Sequence, residues 1–191
     1  MNLSAYLSGC WQALRPEGEW RAHIPLTSRG LLESYAALVL TLPAYYICAL
    51  AIAAHRGRLL ESGPLVVPPA PFAAVALFYA LSFSASIYII CLAFGKRMQF
   101  NAWVILRHWS LFFCALFIAS LFGLYLVGFL PFMAANFMAF AAYLVTLAID
   151  IRLAQRIGQF DLTAAIFTGC IIKAMELSVL LIGIVQIGGA L

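Results

Sequence analysis

The chain has 191 residues, of which 65% are hydrophobic and 9% are charged, against about 25% charged in an average soluble domain. A soluble fold of this size cannot hide so much apolar surface, because surface grows almost as fast as mass in small domains. The net charge of +4 does not indicate a nucleic-acid partner, since the basic residues are scattered in ones and twos without a basic stripe. The composition therefore predicts an integral membrane protein with one compact domain.

Residues 1–30 form a segment that differs from the rest. Apolar residues recur in it at helical spacing: Leu3, Leu7, Cys10, Trp11 and Leu14. Pro16 ends the pattern after about three turns, which is too short to span a bilayer. We expect a cytoplasmic amphipathic helix in the headgroup region, with packing of this face on the protein's own loops as the alternative. No cleavable signal peptide is recognisable, so insertion is expected through the later helices.

Residues 31–191 are expected to form a single transmembrane domain. A helix needs about 20 apolar residues to cross a bilayer, and five runs approach or exceed that length: 31–54, 72–94, 102–125, 132–149 and 162–191. Gly128 and Pro131 mark the least distinct boundary, between the third and fourth runs. The predicted fold is an all-α, polytopic membrane helical bundle with five spans.

The distribution of Lys and Arg predicts the orientation. With the N-terminus in the cytoplasm, eight basic residues lie in inner segments: Arg15, Arg21, Arg29, Lys96, Arg97, Arg107, Arg152 and Arg156. Only Arg56 and Arg58 lie in outer segments. The C-terminus is then outside, in a bacterial inner membrane.

Several side chains near the inner boundary are predicted to be interfacial anchors. Tryptophan prefers this depth, and the candidates are Trp11, Trp20, Trp103, Trp109 and Arg107. Glu33, His108 and Asp150 also sit within about two turns of an inner boundary, where they can reach water or headgroups.

Lys173 and Glu176 are the deepest charges of the predicted bundle. They lie eleven and fourteen residues into the fifth span, which places them roughly 17 and 21 Å deep at about 1.5 Å per residue. The i,i+3 spacing puts both on one helix face. The structural interpretation is an ion pair that orients the helix, and the functional one is a proton relay or substrate site. We favour the former, because a pair with no second carboxylate makes a poor relay.

Other polar residues at that depth are candidate partners of the pair. By the same depth scale they are Thr41, Ser82, Ser84 and Asn136, and Pro43 frees a carbonyl in the first span. The alternative is that the hydroxyls bond back to their own helices.

Small residues at four-residue spacing favour close helix packing or a partner, including a second copy. They are Ala115, Ala119 and Gly123 on the third span and Ala135 and Ala139 on the fourth. On the fifth span, Ala165, Gly169 and Gly183 are small residues on the same helix face as Lys173 and Glu176.

Signatures of enzymes and of metal sites are absent from the sequence, which contains no P-loop, G-x-S-x-G, H-E-x-x-H or dinucleotide fingerprint. The five cysteines have no zinc or disulfide spacing. His23, His55 and His108 fall in three separate segments, so haem or metal ligation is not expected. We expect no catalytic residues, metal or cofactor.

The layout is similar to that of the Yip1-type membrane proteins. The features that carry this resemblance are the amphipathic start, the stretch "RPEGEWRAHIPL" from Arg15 to Leu26, and five close-set spans. In the first span, Leu42, Pro43, Ala44 and Tyr45 resemble an L-P-x-Y motif of bacterial relatives. The resemblance implies the fold and membrane residence. Eukaryotic members are associated with vesicle traffic and small GTPases, but no residue here indicates a GTPase partner.

Three functions are compatible with these features. The leading hypothesis is a non-enzymatic membrane protein that organises lipid or binds protein partners. The second is a small oligomeric transporter or channel that uses the layer around Lys173 and Glu176. The third is an accessory subunit of a larger membrane complex.

Overall fold

A computed structural model describes residues 2–61, 63 and 65–188 of the chain. Across these residues the fold is entirely helical. The six α-helices are α1 (Leu3–Leu14), α2 (Ser28–Leu59), α3 (Pro69–Ala93), α4 (Phe100–Leu126), α5 (Phe132–Arg156) and α6 (Leu162–Gly188). Short 3-10 turns lie at Trp20–Ala22 and Arg97–Gln99.

Five of these helices, α2 to α6, are long and apolar enough to cross a membrane, which agrees with the number of spans predicted. The turn between the third and fourth spans also lies where it was predicted. There α4 ends at Leu126, Gly128 adopts a φ of 86°, and Pro131 precedes the first residue of α5. Glycine suits this turn because a positive φ carries no steric penalty without a Cβ.

Two helices extend well beyond the ends that the sequence predicted. Helix α2 continues to Leu59, and it runs through Pro43 without ending. Helix α5 continues to Arg156 rather than stopping at Ile149. The predicted end of the last span, residues 189–191, lies outside the described part of the chain.

Helix α4 is the central helix of the bundle. It contacts α1, α2, α3 and α5, and every residue from 102 to 112 is buried. A helix buried on all sides must be covered all round by other elements, which explains why no amphipathic pattern appears in this stretch. Helix α6 completes the bundle by packing on α3 and α5.

Helix α1 covers one end of α4 and shares its core. The ring of Tyr6 stacks on that of Trp109 with centroids 4.2 Å apart, and the Cys10 thiol donates to the Leu106 carbonyl at 3.5 Å. Burial raises the pKa of the Cys10 thiol to about 12, so the thiol keeps its proton for this bond. The Tyr6 hydroxyl also donates to Glu33 of α2 at 2.7 Å.

Two arginines at the end of α5 hold the chain that follows α1. Arg152 donates to the carbonyl of Leu14 at 3.0 Å, and Arg156 donates to the carbonyls of Pro16 and Gly18. The last carbonyls of a helix lack partners within the helix, and cationic side chains near that end are favourable. The extra turns of α5 beyond Ile149 carry these two side chains.

Two glycines of α6 allow neighbouring helices to approach closely. A Cβ added at Gly169 would lie 2.6 Å from Cγ1 of Ile151 in α5, and one added at Gly183 would clash with Val75 of α3. Ala165 is fully buried. The small residues of α6 therefore serve packing within this chain, and they are not free for a partner.

Replacing Gly169 with Ala should destabilise the bundle. The new methyl group would force Ile151 to move, and overpacking of this kind typically costs about 1–3 kcal/mol. The matched control is Gly123→Ala on α4, where a Cβ would meet no atom within 4 Å. This control should be neutral or stabilise by up to about 1 kcal/mol, because Ala is the better helix former. Thermal unfolding in detergent measures the stability of both variants. Equal changes in stability would contradict the close contact at Gly169.

Candidate functional site

Four charged side chains form a closed ring in the interior of the bundle. Arg107 of α4 donates to both oxygens of Asp150 in α5, with Nη2 3.2 Å from Oδ2. The Lys173 ammonium lies 3.0 Å from Asp150 and 2.7 Å from Glu176. Arg107 Nη2 closes the ring at 3.1 Å from Glu176. We call these four residues the ionic ring.

Charges alternate around the ionic ring, so each cation contacts both carboxylates and the whole is neutral. None of the four side chains is more than 9% exposed. An isolated buried charge loses its hydration at a cost of several kcal/mol, and good geometry with an opposite charge offsets that loss. The ring therefore works as a unit, in which the loss of one member leaves an uncompensated charge.

Each of the two cations of the ionic ring also lies against an aromatic ring. The Arg107 guanidinium lies 5.1 Å from the centroid of Phe83, and the Lys173 ammonium lies 5.3 Å from that of Tyr143. Cations are attracted to the faces of aromatic rings at such distances. These contacts enclose the ionic ring between α3 and α5.

His108 connects α4 to the two helices that contribute nothing to the ionic ring. Its Nδ1 lies 3.1 Å from Ser34 Oγ in α2, and its Nε2 lies 3.1 Å from Ser84 Oγ in α3. The Ser34 hydroxyl already donates to the Leu31 carbonyl at 2.7 Å, so Nδ1–H must donate to Ser34. Nε2 then accepts from Ser84, and a neutral imidazole satisfies every partner. With the ionic ring, this gives a polar layer that involves all five long helices.

The predicted pair of Lys173 and Glu176 is in contact, but its predicted surroundings are only partly right. Ser84 belongs to the polar layer, through His108. Thr41 and Ser82 donate to carbonyls of their own helices, at Leu38 and Tyr79, as hydroxyl groups in helices commonly do. Asn136 is exposed, so its assignment to the layer is wrong.

The prediction that Arg107 is an interfacial anchor, grouped with His108 and Asp150, is wrong. All three are at most 1% exposed and lie in the polar layer. The depth of a residue along its own helix does not include the offset between neighbouring helices. It also omits α1, which covers α4 beside these residues.

Three of the four predicted tryptophan anchors are enclosed by protein. Trp103 and Trp109 are fully buried in the core, and Trp20 is 6% exposed. Their anchor assignment is therefore wrong, because a buried indole cannot reach headgroups. Only Trp11 is exposed, at 58%.

One signal in the sequence pointed to the full ionic ring. The last three apolar runs, together with the residue that directly follows the second of them, contain two bases and two acids that balance one another: Arg107, Asp150, Lys173 and Glu176. Since charges in membrane interiors pair with one another, this balance would have grouped them. Ranking each residue by its own depth concealed the pattern.

Two cavities of the bundle do not reach the ionic ring. A groove of about 520 Å³ between α4 and α5 is lined by apolar side chains such as Phe113, Phe117 and Val145. A second cavity lies at the far end of α4. Among the described residues, no group of three or more His, Cys, Asp or Glu side chains is placed to hold a metal ion, and all five cysteines are free thiols.

No protein-family model, no curated protein and no solved structure matches this chain.

Charge balance, and not the identity of any one member, should govern the stability of the ionic ring. Lys173→Met and Glu176→Gln should each lower thermal stability in detergent, since breaking a buried pair costs about 3–5 kcal/mol in soluble proteins. The double variant should recover a good part of that loss, because it leaves Arg107 and Asp150 paired.

The matched control removes two members with the same charge. Arg107→Met combined with Lys173→Met leaves two facing carboxylates, so it should be the least stable of the variants. Equal losses in the balanced and unbalanced double variants, or strictly additive single losses, would show that the ring members do not interact.

Proposed function

We propose that the chain is a non-enzymatic, multi-pass membrane protein that organises lipid or binds protein partners through its outer surfaces. The ionic ring is the observation that supports this proposal best. Among the described residues it pairs every buried charge with another, and no member points into either cavity described above. A fully paired, neutral ring locks helices together and presents no free group to a substrate.

The outer surface of the bundle supports membrane residence. Large apolar side chains point outward along the long helices, for example Phe78, Phe137 and Phe167 at 69, 73 and 65% exposure. Water would leave such a surface prone to association, whereas hydrocarbon is a suitable solvent for it. The resemblance to the Yip1-type layout agrees with this environment and is part of the proposal.

The exposed face of α1 supports an interfacial position for this helix. Tyr6, Cys10 and Ala13 pack inward, while Leu3, Leu7 and Trp11 form an exposed stripe at four-residue spacing. This division leaves an apolar face beside the bundle, as expected of a helix that lies in a membrane interface. The proposed contact of α1 with lipid thus uses Trp11 alone among the four tryptophans.

Lipids that carry a nitroxide at the headgroup should quench tryptophan fluorescence of this protein mainly through Trp11. In vesicles, Trp11→Phe should remove most of the quenchable tryptophan fluorescence, because the other indoles are enclosed by protein. Trp20→Phe is the matched control and should leave the quenched component unchanged. The same quenching in both variants would mean that α1 does not lie in the interface.

Orientation with the N-terminus inside is also part of the proposal. Since Arg107 belongs to the ionic ring, it no longer counts as a loop charge, and seven basic residues remain on the proposed inner side against two outside. The excess of positive charge on the inner side is still clear.

Cysteine labelling tests this orientation at two well-exposed positions. In a background without the native cysteines, Leu60→Cys should react with an impermeant maleimide in intact cells. Met98→Cys should react only after the membrane is permeabilised, because the two positions lie at opposite ends of α3. Labelling of both from the same side would contradict the proposed topology.

A transporter is the second candidate, and one observation favours it. Asp150 supplies the second carboxylate that a proton relay needs, next to Lys173 and Glu176. The ring variants distinguish the two candidates. A balanced double variant that stays as stable as the parent but no longer dissipates a proton gradient in proteoliposomes would favour transport. An accessory subunit has no comparable support, because the small residues of α6 are covered within the chain.

A further inference from the structure

The second cavity, whose walls include polar groups, lies at the end of α4 that is far from α1. Its volume is about 610 Å³, and its walls come from the end of α2, the turn between α4 and α5, and the start of α5. The lining residues that matter here are His55, Arg58, Tyr125, Phe132 and Met133. None of the lining residues is acidic.

Two nitrogen-rich side chains of α2 face this cavity. The Arg58 guanidinium lies 5.4 Å from the centroid of the Tyr125 ring, and the His55 ring stacks on Phe132 with centroids 3.7 Å apart. Within the described ranges, neither side chain forms an ion pair, and the exposed Glu61 nearby donates only its backbone amide, to the Arg58 carbonyl at 3.5 Å. The cavity therefore carries positive charge that the protein does not neutralise.

Tyr125 adds a buried donor without an acceptor. The residue is 5% exposed, and in the part of the chain described its hydroxyl has no hydrogen-bond partner. Leaving a buried hydroxyl unpaired is unfavourable, and native structures rarely do so. A ligand atom that accepts a hydrogen bond would satisfy it.

The start of α5 supplies backbone donors to the same cavity. Pro131 precedes the helix and gives no side-chain cap, so the amides of residues 132–134 have no acceptor within the helix. The N-terminus of a 25-residue helix also carries partial positive charge. At the end of α4, by contrast, the carbonyls of Gly123, Leu124 and Tyr125 already accept from the turn.

We propose that this cavity binds a phosphate group, held by Arg58, His55, the Tyr125 hydroxyl and the free amides at the start of α5. Phosphate suits the donors because it offers several acceptor oxygens and negative charge, and helix N-termini bind it readily. The exposed apolar residues beside the cavity, Leu126, Phe129 and Met133, suit acyl chains. A phospholipid headgroup is therefore the expected source, and free phosphate is the other.

The test measures thermal stabilisation of delipidated protein in detergent by three probes. Dioleoyl phosphatidic acid carries phosphate and acyl chains, dioleoylglycerol carries the chains alone, and inorganic phosphate carries the anion alone. Phosphatidic acid should stabilise the parent, and dioleoylglycerol should not. Arg58→Met and Tyr125→Phe should each weaken phosphatidic acid binding by about tenfold or more, because each removes a hydrogen bond to a charged group.

Two matched controls show whether removing any basic side chain or any tyrosine hydroxyl weakens phosphatidic acid binding in the same way. Arg56→Met removes a neighbouring basic residue of α2 that does not line the cavity, and Tyr88→Phe removes an exposed hydroxyl on α3. Both should bind phosphatidic acid as the parent does.

Each remaining outcome has a definite meaning. If inorganic phosphate stabilises the parent and the effect is lost in Arg58→Met and Tyr125→Phe, the phosphate site stands and its ligand is soluble. Equal stabilisation by dioleoylglycerol, an equal loss in Arg56→Met, or no stabilisation by either phosphate probe would overturn the proposal.

Discussion

A charged side chain in an apolar interior gives up its hydration, so it is stable there only when opposite charge replaces the water. In the described part of the chain that condition is met where Arg107, Asp150, Lys173 and Glu176 alternate in a closed ring. Three helices supply the ring, and His108 extends its polar layer to the other two long helices. In lipid, apolar packing alone discriminates weakly between helix faces. The polar layer therefore provides the most specific constraint on how the five helices are arranged.

Much of the fold follows directly from local sequence. The apolar runs indicate five long helices, Gly128 and Pro131 indicate the turn between α4 and α5, and the spacing of Lys173 and Glu176 predicts their contact. These features depend only on residues close together in the chain, which periodicity and turn chemistry describe well. The glycine at position 169 also marks a close contact, although its neighbour in α5 is not apparent from the pattern.

What the sequence did not reveal depends on how helices are placed relative to one another. Trp103, Trp109 and Arg107 look like interface residues when depth is counted along α4 alone. They are interior residues because α1, which begins almost a hundred positions earlier, packs over that end of α4. The prediction for Asn136 is wrong because a depth that matches the ionic pair does not imply that the side chain faces the interior. The cavity near Tyr125 likewise combines three elements that are distant in sequence.

The division of the ionic ring among helices has a consequence for biosynthesis. Arg107 and Asp150 lie on α4 and α5, which are joined by a short turn and can enter the bilayer together as a hairpin. Lys173 and Glu176 lie one turn apart on α6 and form their pair within that helix. Each half of the ring is thus electrically neutral before it meets the other. Insertion into the membrane proposed above would then bring two neutral units into the bilayer interior rather than a net charge, and the final step would join them.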